Sequence, residues 1–432
     1  MRIDSIHLRN FKCFEDREFA LAPRFNLVIG DNATGKTTIL DGLAVALGTL
    51  LLDFPRPARS RSIFHDEVRL RFFSHGDTLT SERQFPVTVS CQGEVASQRV
   101  NWSRELTTTD GKTTRQNAEA LRTIGTDLHS RVAKGDSGDL PVVSYYGTGR
   151  LWVQKRQRDI QALKPDSRFM GYLDCLEPAS DEKRLLQWFK TQEIAAIQQG
   201  QPIGALEACR RAIMACVPEA EKVYFDVKRD QLMLELPQQP FPFSYLSDGF
   251  RNMVAMAADI AVRCATLNPQ LRETAAAETR GVVLIDEIDL HLHPKWQRRV
   301  IGDLLNAFPR IQFVGTTHSP FVIQSLPPAD TVRLINLDDP EADDFANKSV
   351  EDISEQVQGV ELPQRSQRYV EMLKTAEEYY RLLREAPNAS EEEKQRLSER
   401  LDELSLPFSD DPAYQALLQF ERVAAGLNGE PS

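Results

Sequence analysis

The chain has 432 residues, of which 41% are hydrophobic and 27% are charged, and its formal net charge is −11 at pH 7. This length and composition are typical of a globular protein of two or three domains, or of one large α/β domain with insertions. The acidic balance argues against a globally basic nucleic-acid binder and leaves room for a local basic patch. No apolar run approaches the ~18 residues that span a bilayer, and the six cysteines form no C-x-x-C pair, so we expect a cytoplasmic protein with reduced thiols and no membrane contact.

The first strong pattern is a glycine-rich stretch between a predicted strand and a predicted helix. Strands are expected at 3–8, 14–21 and 25–29. An amphipathic helix is expected at 38–52, before Pro55. Between them, Gly30 to Thr37 reads G-x-x-x-x-G-K-T, the pattern of a loop that binds a triphosphate.

The residue types of this loop suit phosphate oxygens. Glycines let the backbone approach the ligand closely, and the helix that follows adds the positive end of its dipole. Lys36 is expected to reach the β- and γ-phosphates, and the Thr37 hydroxyl to bind Mg²⁺. The residues that we assign to ATP are Gly30, Asp31, Asn32, Ala33, Thr34, Gly35, Lys36, Thr37 and Thr38.

The middle of the chain changes from short strands to helices. Strands are expected at 68–73, 85–91, 99–106 and 140–146, with a polar loop at 107–117 and a helix at 117–134. Helices at 181–198 and 206–216 precede a hairpin at 223–227 and 232–236. A basic cluster lies beside Trp152 and consists of Arg150, Lys155, Arg156 and Arg158. It is either a contact surface for DNA or RNA phosphates or a solvated helix face.

A second strong pattern is the apolar run 282–285, which ends in Asp286-Glu287. Such a strand is buried on both faces of a parallel sheet and presents its carboxylates at the sheet edge where ligands bind. We expect Asp286 to hold Mg²⁺ and Glu287 to polarise the attacking water. Helices at 250–267 and 296–308 and strands at 311–316 and 332–337 complete an α/β pattern.

Leu246-Ser247-Asp248-Gly249-Phe250-Arg251 precedes a predicted helix and resembles the signature motif of ABC-type ATPases. The resemblance implies that Ser247, Gly249 and Arg251 bind the nucleotide held by a second subunit. Ser247 is equally suited to cap the helix N-terminus, and this alternative stays open.

Two further stretches resemble motifs of the same family. Thr317-His318-Ser319-Pro320 resembles the switch loop, so His318 is expected at the γ-phosphate. Ile288 to Pro294 resembles the D-loop, which implies Asp289 at the dimer interface. His291 and His293 lack a third ligand nearby, which argues against a metal site.

Two features depart from the transporter type of this family. Asp248 and Phe250 stand where transporter subunits carry Gly and Gln, and no clear Q-loop is present, with Gln154 as its candidate. The opening Asn-Phe-Lys-Cys-Phe and the Leu-His-Pro-x-Trp stretch instead resemble the SMC/RecF/OLD-like branch. The insert is too short for an SMC coiled coil, and Asp338-Asp339 are interpreted as solvated loop residues, not as part of an OLD-type nuclease site.

With the SMC and OLD types set aside, the chain resembles the compact ABC-like ATPases found beside nuclease partners in bacterial anti-phage systems such as Septu and retrons. This implies a P-loop NTPase of α/β class, an ABC-like head with an antiparallel β subdomain, a helical insert and a C-terminal helical hairpin. It implies ATP and Mg²⁺ as cofactors, a homodimer or higher oligomer formed through the ATP sites, and a nuclease effector of the HNH type. The alternatives are a RecF-like DNA repair ATPase and a nucleotide-gated scaffold with little hydrolysis.

The predicted organisation follows these patterns. The ATPase core is split between 1–60 and 220–340, the antiparallel portion covers 61–150, the helical insert 151–219 and the helical tail 341–432. The tail helices are expected at 364–385, 390–404 and 411–427.

Overall fold

The computed structural model describes residues 1–150, 167–178, 182–328, 330–339 and 348–385, together with 392, 395–396, 399–400 and 403. By their internal contacts the residues divide into two compact units, Met1–Lys348 and Ser349–Ser432. The strands are β1 (Arg2–Phe11), β2 (Phe14–Ala20), β3 (Phe25–Ile29), β4 (Leu70–His75), β5 (Thr78–Arg83), β6 (Val87–Val95), β7 (Gln98–Leu106), β8 (Val142–Tyr146), β9 (Lys222–Asp226), β10 (Gln231–Glu235), β11 (Pro240–Pro242), β12 (Gly281–Ile285), β13 (Ile311–Thr316) and β14 (Val332–Asn336). The helices are α1 (Lys36–Gly48), α2 (Glu119–Ala133), α3 (Glu182–Gln199), α4 (Gly204–Cys216), α5 (Asp248–Leu267), α6 (Ala275–Glu278), α7 (Pro294–Gln297), α8 (Val300–Ala307), α9 (Pro320–Gln324), α10 (Val350–Gln356) and α11 (Gln367–Glu385).

The first unit is built on a five-stranded parallel sheet with the order β14-β3-β13-β12-β8. Four of its strands, β3, β8, β12 and β13, are buried along their whole length. Their continuous apolar sequences are explained by this burial, because a parallel sheet is covered on both faces. The prediction of an α/β P-loop fold is confirmed.

A four-stranded antiparallel sheet with the order β2-β1-β6-β7 forms a second layer. This sheet combines β1 and β2 from the predicted core segment 1–60 with β6 and β7 from the predicted antiparallel portion 61–150. The predicted antiparallel portion 61–150 is wrong at β8, which pairs in parallel with β12. Its near-continuous apolar sequence is what a strand at that position needs. The sequence prediction also missed β5, which forms an exposed hairpin with β4.

Helix α1 lies between these two sheets. Every residue of it except Thr37 is buried, so the expected amphipathic helix is wrong. The Trp102 side chain of β7 donates a hydrogen bond to Ala46 O at 3.0 Å, and the Leu8 side chain of β1 packs at Gly42. A helix covered on both sides needs apolar residues all round.

The helix expected at 296–308 is two helices, α7 and α8. They are separated at Arg299, whose φ of −127° is not helical and whose guanidinium pairs with Asp303 and Glu219 at 2.7 and 2.9 Å. None of the helices in the described ranges is long and apolar enough to cross a membrane.

The second unit contains α10 and α11, and α11 agrees with the helix expected at 364–385. The six described residues between 392 and 403 are helical, as expected for the second tail helix. The third tail helix, expected at 411–427, lies outside the described residues.

Candidate functional site

The glycine-rich loop connects β3 to α1, as predicted. Gly30 and Gly35 have φ values of +147° and +109°, which L side chains rarely adopt. A Cβ atom at Gly35 would lie 2.6 Å from both Cys13 Sγ and Phe14 Cζ. The side chains at the turn between β1 and β2 therefore pack directly against the loop. Glycine is therefore required here both for its backbone conformation and for the space.

The Lys36 ammonium lies within the curve of the loop. Its Nζ donates hydrogen bonds to Gly30 O at 2.8 Å and to Asp31 O at 2.7 Å. Burial lowers the pKa of Lys36, while the carboxylates of Asp338, Asp286, Asp31 and Glu287 oppose this. A cation surrounded by carboxylates and loop carbonyls is positioned to receive a phosphate oxygen.

The structure brings together the two residues that were assigned to the metal. Thr37 Oγ1 donates to the Asp286 carboxylate, at 3.0 Å from Oδ2 and 3.2 Å from Oδ1. The Thr316 hydroxyl also donates to Asp286 Oδ1, at 2.7 Å. A hydroxyl and a carboxylate are oxygen ligands that suit Mg²⁺, which usually completes its shell with waters and substrate phosphates. Among the described residues, no cluster of three or more His, Cys, Asp or Glu side chains could hold a metal by itself.

Glu287 follows Asp286 with a backbone φ of +47°, in the left-handed region. Its amide donates to Thr316 Oγ1 at 2.8 Å, so the same hydroxyl contacts both residues of the Asp-Glu pair. Residues held in this region cost free energy and cluster at functional sites. Nothing in the sequence indicated this strained backbone.

The switch loop after β13 is connected to the predicted D-loop. Thr317 Oγ1 donates to Asp289 Oδ1 at 2.5 Å, and Ser319 Oγ donates to Gln297 Oε1 at 2.7 Å. The His318 side chain is exposed between these two anchored residues. His318 is therefore on the same sheet edge as Glu287, in a loop whose position is fixed on both sides.

The signature residues lie at the N-terminus of α5. Ser247 is exposed at the N-cap position, and its hydroxyl makes no capping hydrogen bond. Ser247 therefore occupies the position that the capping alternative expects, but without the side-chain hydrogen bond of a cap. A Cβ atom at Gly249 would lie 2.1 Å from His291 O, so this glycine lets α5 approach the D-loop closely. Among the described residues, no hydrogen bond joins 247–251 to the loop at 30–38.

Arg251 has partners within its own chain. Its Nη2 contacts both oxygens of Glu182, at 2.5 and 2.6 Å, and its guanidinium lies 5.5 Å from the Phe243 ring centroid. These contacts give Arg251 a structural function at the start of α5. Its assignment to the nucleotide stays a prediction.

Asp338 is an exposed loop residue, as interpreted, but it also contacts the phosphate loop, which the interpretation did not include. Its Oδ2 accepts a hydrogen bond from the Asp31 amide at 2.7 Å. Strand β14 pairs with β3, so the residues after β14 reach the loop after β3. No sequence pattern indicated this contact, because the two residues are 307 positions apart.

A second unpredicted feature is an ion cluster behind α1. Arg61 Nη2 contacts Asp41 Oδ1 at 2.9 Å and Glu67 Oε1 at 2.7 Å, and Lys12 Nζ also bonds Asp41. Burial raises the pKa of Glu67, while Arg61 and Lys12 oppose this. The cluster connects α1 to the β1–β2 turn, where Cys13 Sγ lies 3.7 Å from Thr38 Oγ1.

The basic cluster was predicted at Arg150, Lys155, Arg156 and Arg158, with Gln154 as the Q-loop candidate. All of these except the backbone of Arg150 lie outside the described residues. The structure therefore leaves the nucleic-acid contact and the Q-loop as predictions.

Comparison with known proteins agrees with this geometry. Residues 5–201 match a family model described as "AAA domain", and residues 235–324 match one described as "AAA domain, putative AbiEii toxin, Type IV TA system". The chain is 24% identical over 394 residues to the retron Vc95 probable ATPase of Vibrio cholerae serotype O1 biovar El Tor, covering 78% of this chain and 74% of that protein.

Two further relatives extend this comparison. The chain is 26% identical over 396 residues to the retron Ec83 probable ATPase of Escherichia coli, covering 76% and 70% of the two chains. It is 37% identical over 130 residues to the Septu protein PtuA of Bacillus mycoides (strain KBAB4), covering 28% of this chain and 17% of that protein.

Proposed function

We propose that this chain, a P-loop ATPase of the ABC type similar to retron and Septu ATPases, dimerises around ATP and controls a nuclease effector in anti-phage defence. The observation that supports dimerisation is the incomplete site. The phosphate loop, Asp286, Glu287 and His318 lie on one sheet edge, while the exposed Ser247 makes no contact with the loop of its own chain. A second copy placed head to tail would supply Ser247 and Gly249 to the nucleotide.

The proposed chemistry assigns one step to each group. Lys36 and the loop amides bind the phosphates, and Mg²⁺, held by Thr37 and Asp286, would neutralise the charge that develops on them. Glu287 accepts a proton from water as the water oxygen bonds to the γ-phosphorus. The bond from that phosphorus to the bridging oxygen breaks, and ADP leaves. His318 contacts the departing γ-phosphate.

A mixing experiment tests whether each site needs two chains. Lys36→Ala removes the phosphate-loop half and Ser247→Arg blocks the signature half, so each variant alone should be inactive. Mixed in equal amounts, they should recover about a quarter of wild-type turnover, because half of the dimers form between the two variants and each holds one intact site. Ser244→Arg, an equal change at another exposed serine near α5, is the control and should stay active. A mixture that stays inactive, although the variants exchange subunits, contradicts the composite site.

The role of Glu287 is tested by trapping. Glu287→Gln removes the proton acceptor and keeps the side-chain size, so ATP should bind and hold the dimer together without turnover. Size-exclusion chromatography with and without ATP measures this. Hydrolysis at the wild-type rate would show that Glu287 is not the base. ATP that stays bound to the wild-type protein through purification, with no turnover, would instead favour the scaffold alternative.

The defence role rests on the similarity to retron and Septu proteins and is tested separately. The gene, expressed with its chromosomal neighbours, should reduce phage plaque counts, and Lys36→Ala should abolish this protection. Affinity purification of the wild-type chain from the same cells should recover a nuclease encoded beside it. Protection that is unchanged by Lys36→Ala would exclude control by nucleotide.

A further inference from the structure

A cavity of about 470 Å³ lies on the first unit, away from the phosphate loop. It is bounded by the connector 60–65, by β7 and by the loop that follows β7. Its wall carries the cationic side chains of Arg104, Lys112 and Arg115 and the Ser62 hydroxyl, while the Thr113 hydroxyl in the same wall bonds to the Ile63 backbone. Cations and hydroxyl donors that surround one space are the chemistry of an anion site.

Arg104 is the unusual member of this wall. Its side chain is 1% exposed, which makes it the largest fully buried side chain of the described residues. Its Nε donates to Thr114 O at 2.7 Å, but Nη1 is buried and has no hydrogen-bond partner in the described part of the chain. Burial and, to a smaller extent, the Arg115 guanidinium lower the pKa of Arg104 to about 10, so Arg104 remains protonated at neutral pH.

Two carboxylates next to this wall in the sequence, Glu67 and Glu105, are bonded to other groups. Glu67 accepts from Arg61 Nη2 at 2.7 Å and from the Phe64 amide at 2.9 Å. Glu105, the neighbour of Arg104 on β7, accepts from Asn117 Nδ2 at 3.2 Å. No ion pair among the described residues includes Arg104. A buried charge without a counter-ion costs several kcal/mol, so the fold carries this cation at a cost that a bound anion would offset.

We propose that this cavity binds a phosphate group, with Arg104 as the buried anchor and Arg115 and Lys112 at the exposed entrance. A phosphate offers several acceptor oxygens to converging cations and hydroxyls, and arginine binds such oxygens in pairs. The phosphate belongs either to a small phosphorylated compound or to a nucleic-acid backbone. This site does not depend on the proposed dimer or effector.

Binding is measured in the Lys36→Ala protein, because the phosphate loop would otherwise bind the same probes. The probes are inorganic phosphate and a single-stranded oligodeoxynucleotide, titrated by calorimetry. We expect a dissociation constant of about 1 mM or lower for at least one probe. Arg104→Met should weaken that binding about tenfold or more. The matched control is Arg99→Met, which removes an exposed arginine from the same strand and should leave binding unchanged.

The two probes distinguish the sources of the phosphate. Arg104-dependent binding of inorganic phosphate indicates a small ligand, and Arg104-dependent binding of the oligonucleotide alone indicates a nucleic-acid backbone. Since Arg104→Met removes a buried residue, Arg115→Gln provides a second test from the exposed entrance, and it should also weaken binding. The proposal is overturned if neither probe binds the Lys36→Ala protein, or if binding is the same after Arg115→Gln as before.

Discussion

Asp338 places a negative charge beside the loop that we assign to the phosphates of ATP. Its Oδ2 accepts from the Asp31 amide at 2.7 Å, and its charge acts on Lys36. The carboxylate therefore has two opposite effects on nucleotide binding. It holds the loop by a hydrogen bond, and it repels an anionic ligand. Asp338→Asn separates these effects, since the amide oxygen can still accept the hydrogen bond while the charge is removed.

The size of the repulsion follows from the position of Asp338. The side chain is exposed, so a water-like dielectric constant applies, and two unit charges about 8 Å apart then repel by about 0.5 kcal/mol. A triphosphate whose charge is partly neutralised by Mg²⁺ presents about two such charges, which gives about 1 kcal/mol. We therefore expect Asp338→Asn to lower the dissociation constant for ATP about fivefold.

Calorimetric titration with a non-hydrolysable ATP analogue measures this change. The effect should shrink in about 1 M salt, where the Debye length falls to about 3 Å. Asp339→Asn is the matched control, because it makes the same charge change one residue further along and should have a smaller effect. An Asp338→Asn protein that binds the analogue no more tightly than wild type would refute the electrostatic reasoning and leave only the hydrogen bond.

Three further predictions follow from packing and burial. Gly249→Ala should abolish ATP turnover and lower the melting temperature, because its Cβ would lie 2.1 Å from a backbone carbonyl; Gly302→Ala, which has no atom within 4 Å, should change neither. Arg263→Met should cost about 3 kcal/mol in urea unfolding at pH 7, since it removes the closest cation from the part-buried carboxylate of Asp259 and leaves only Arg184 at 3.9 Å and the Tyr146 hydroxyl. Burial alone raises the pKa of Asp259, but the Arg263 guanidinium and its hydrogen bond lower it below its usual range. The wild-type advantage should therefore persist at neutral pH and disappear only as the pH falls through that lowered pKa. A thiol reagent should modify Cys13 alone in the native protein, because the other five cysteines are buried, and ATP should slow this reaction; modification of a second thiol at the same rate would contradict the packing.

The residues predicted from the sequence are those whose function depends on local order along the chain. The strand, glycine loop and helix around Lys36, and the apolar strand that ends at Asp286, can be identified from spacing alone, and the structure places Thr37 against Asp286 as expected. What the sequence could not reveal depends on contacts between distant segments. The Asp338 contact joins residues 307 positions apart, and the burial of α1 depends on a second sheet that covers it. Such contacts leave no periodic pattern in either of the segments that make them.

The position of β3 between β13 and β14 also has a consequence for biosynthesis. Strand β3 and the nucleotide loop are made before both strands that flank β3, which follow about 280 residues (β13) and about 300 residues (β14) later. At translation rates of about 5–20 residues per second, this delay is roughly 15–60 s. ATP is therefore unable to act as an early folding ligand, and a prematurely terminated chain would present a nucleotide motif without a nucleotide site. The cell's supply of competent sites is thus limited to chains that have been completed through β14.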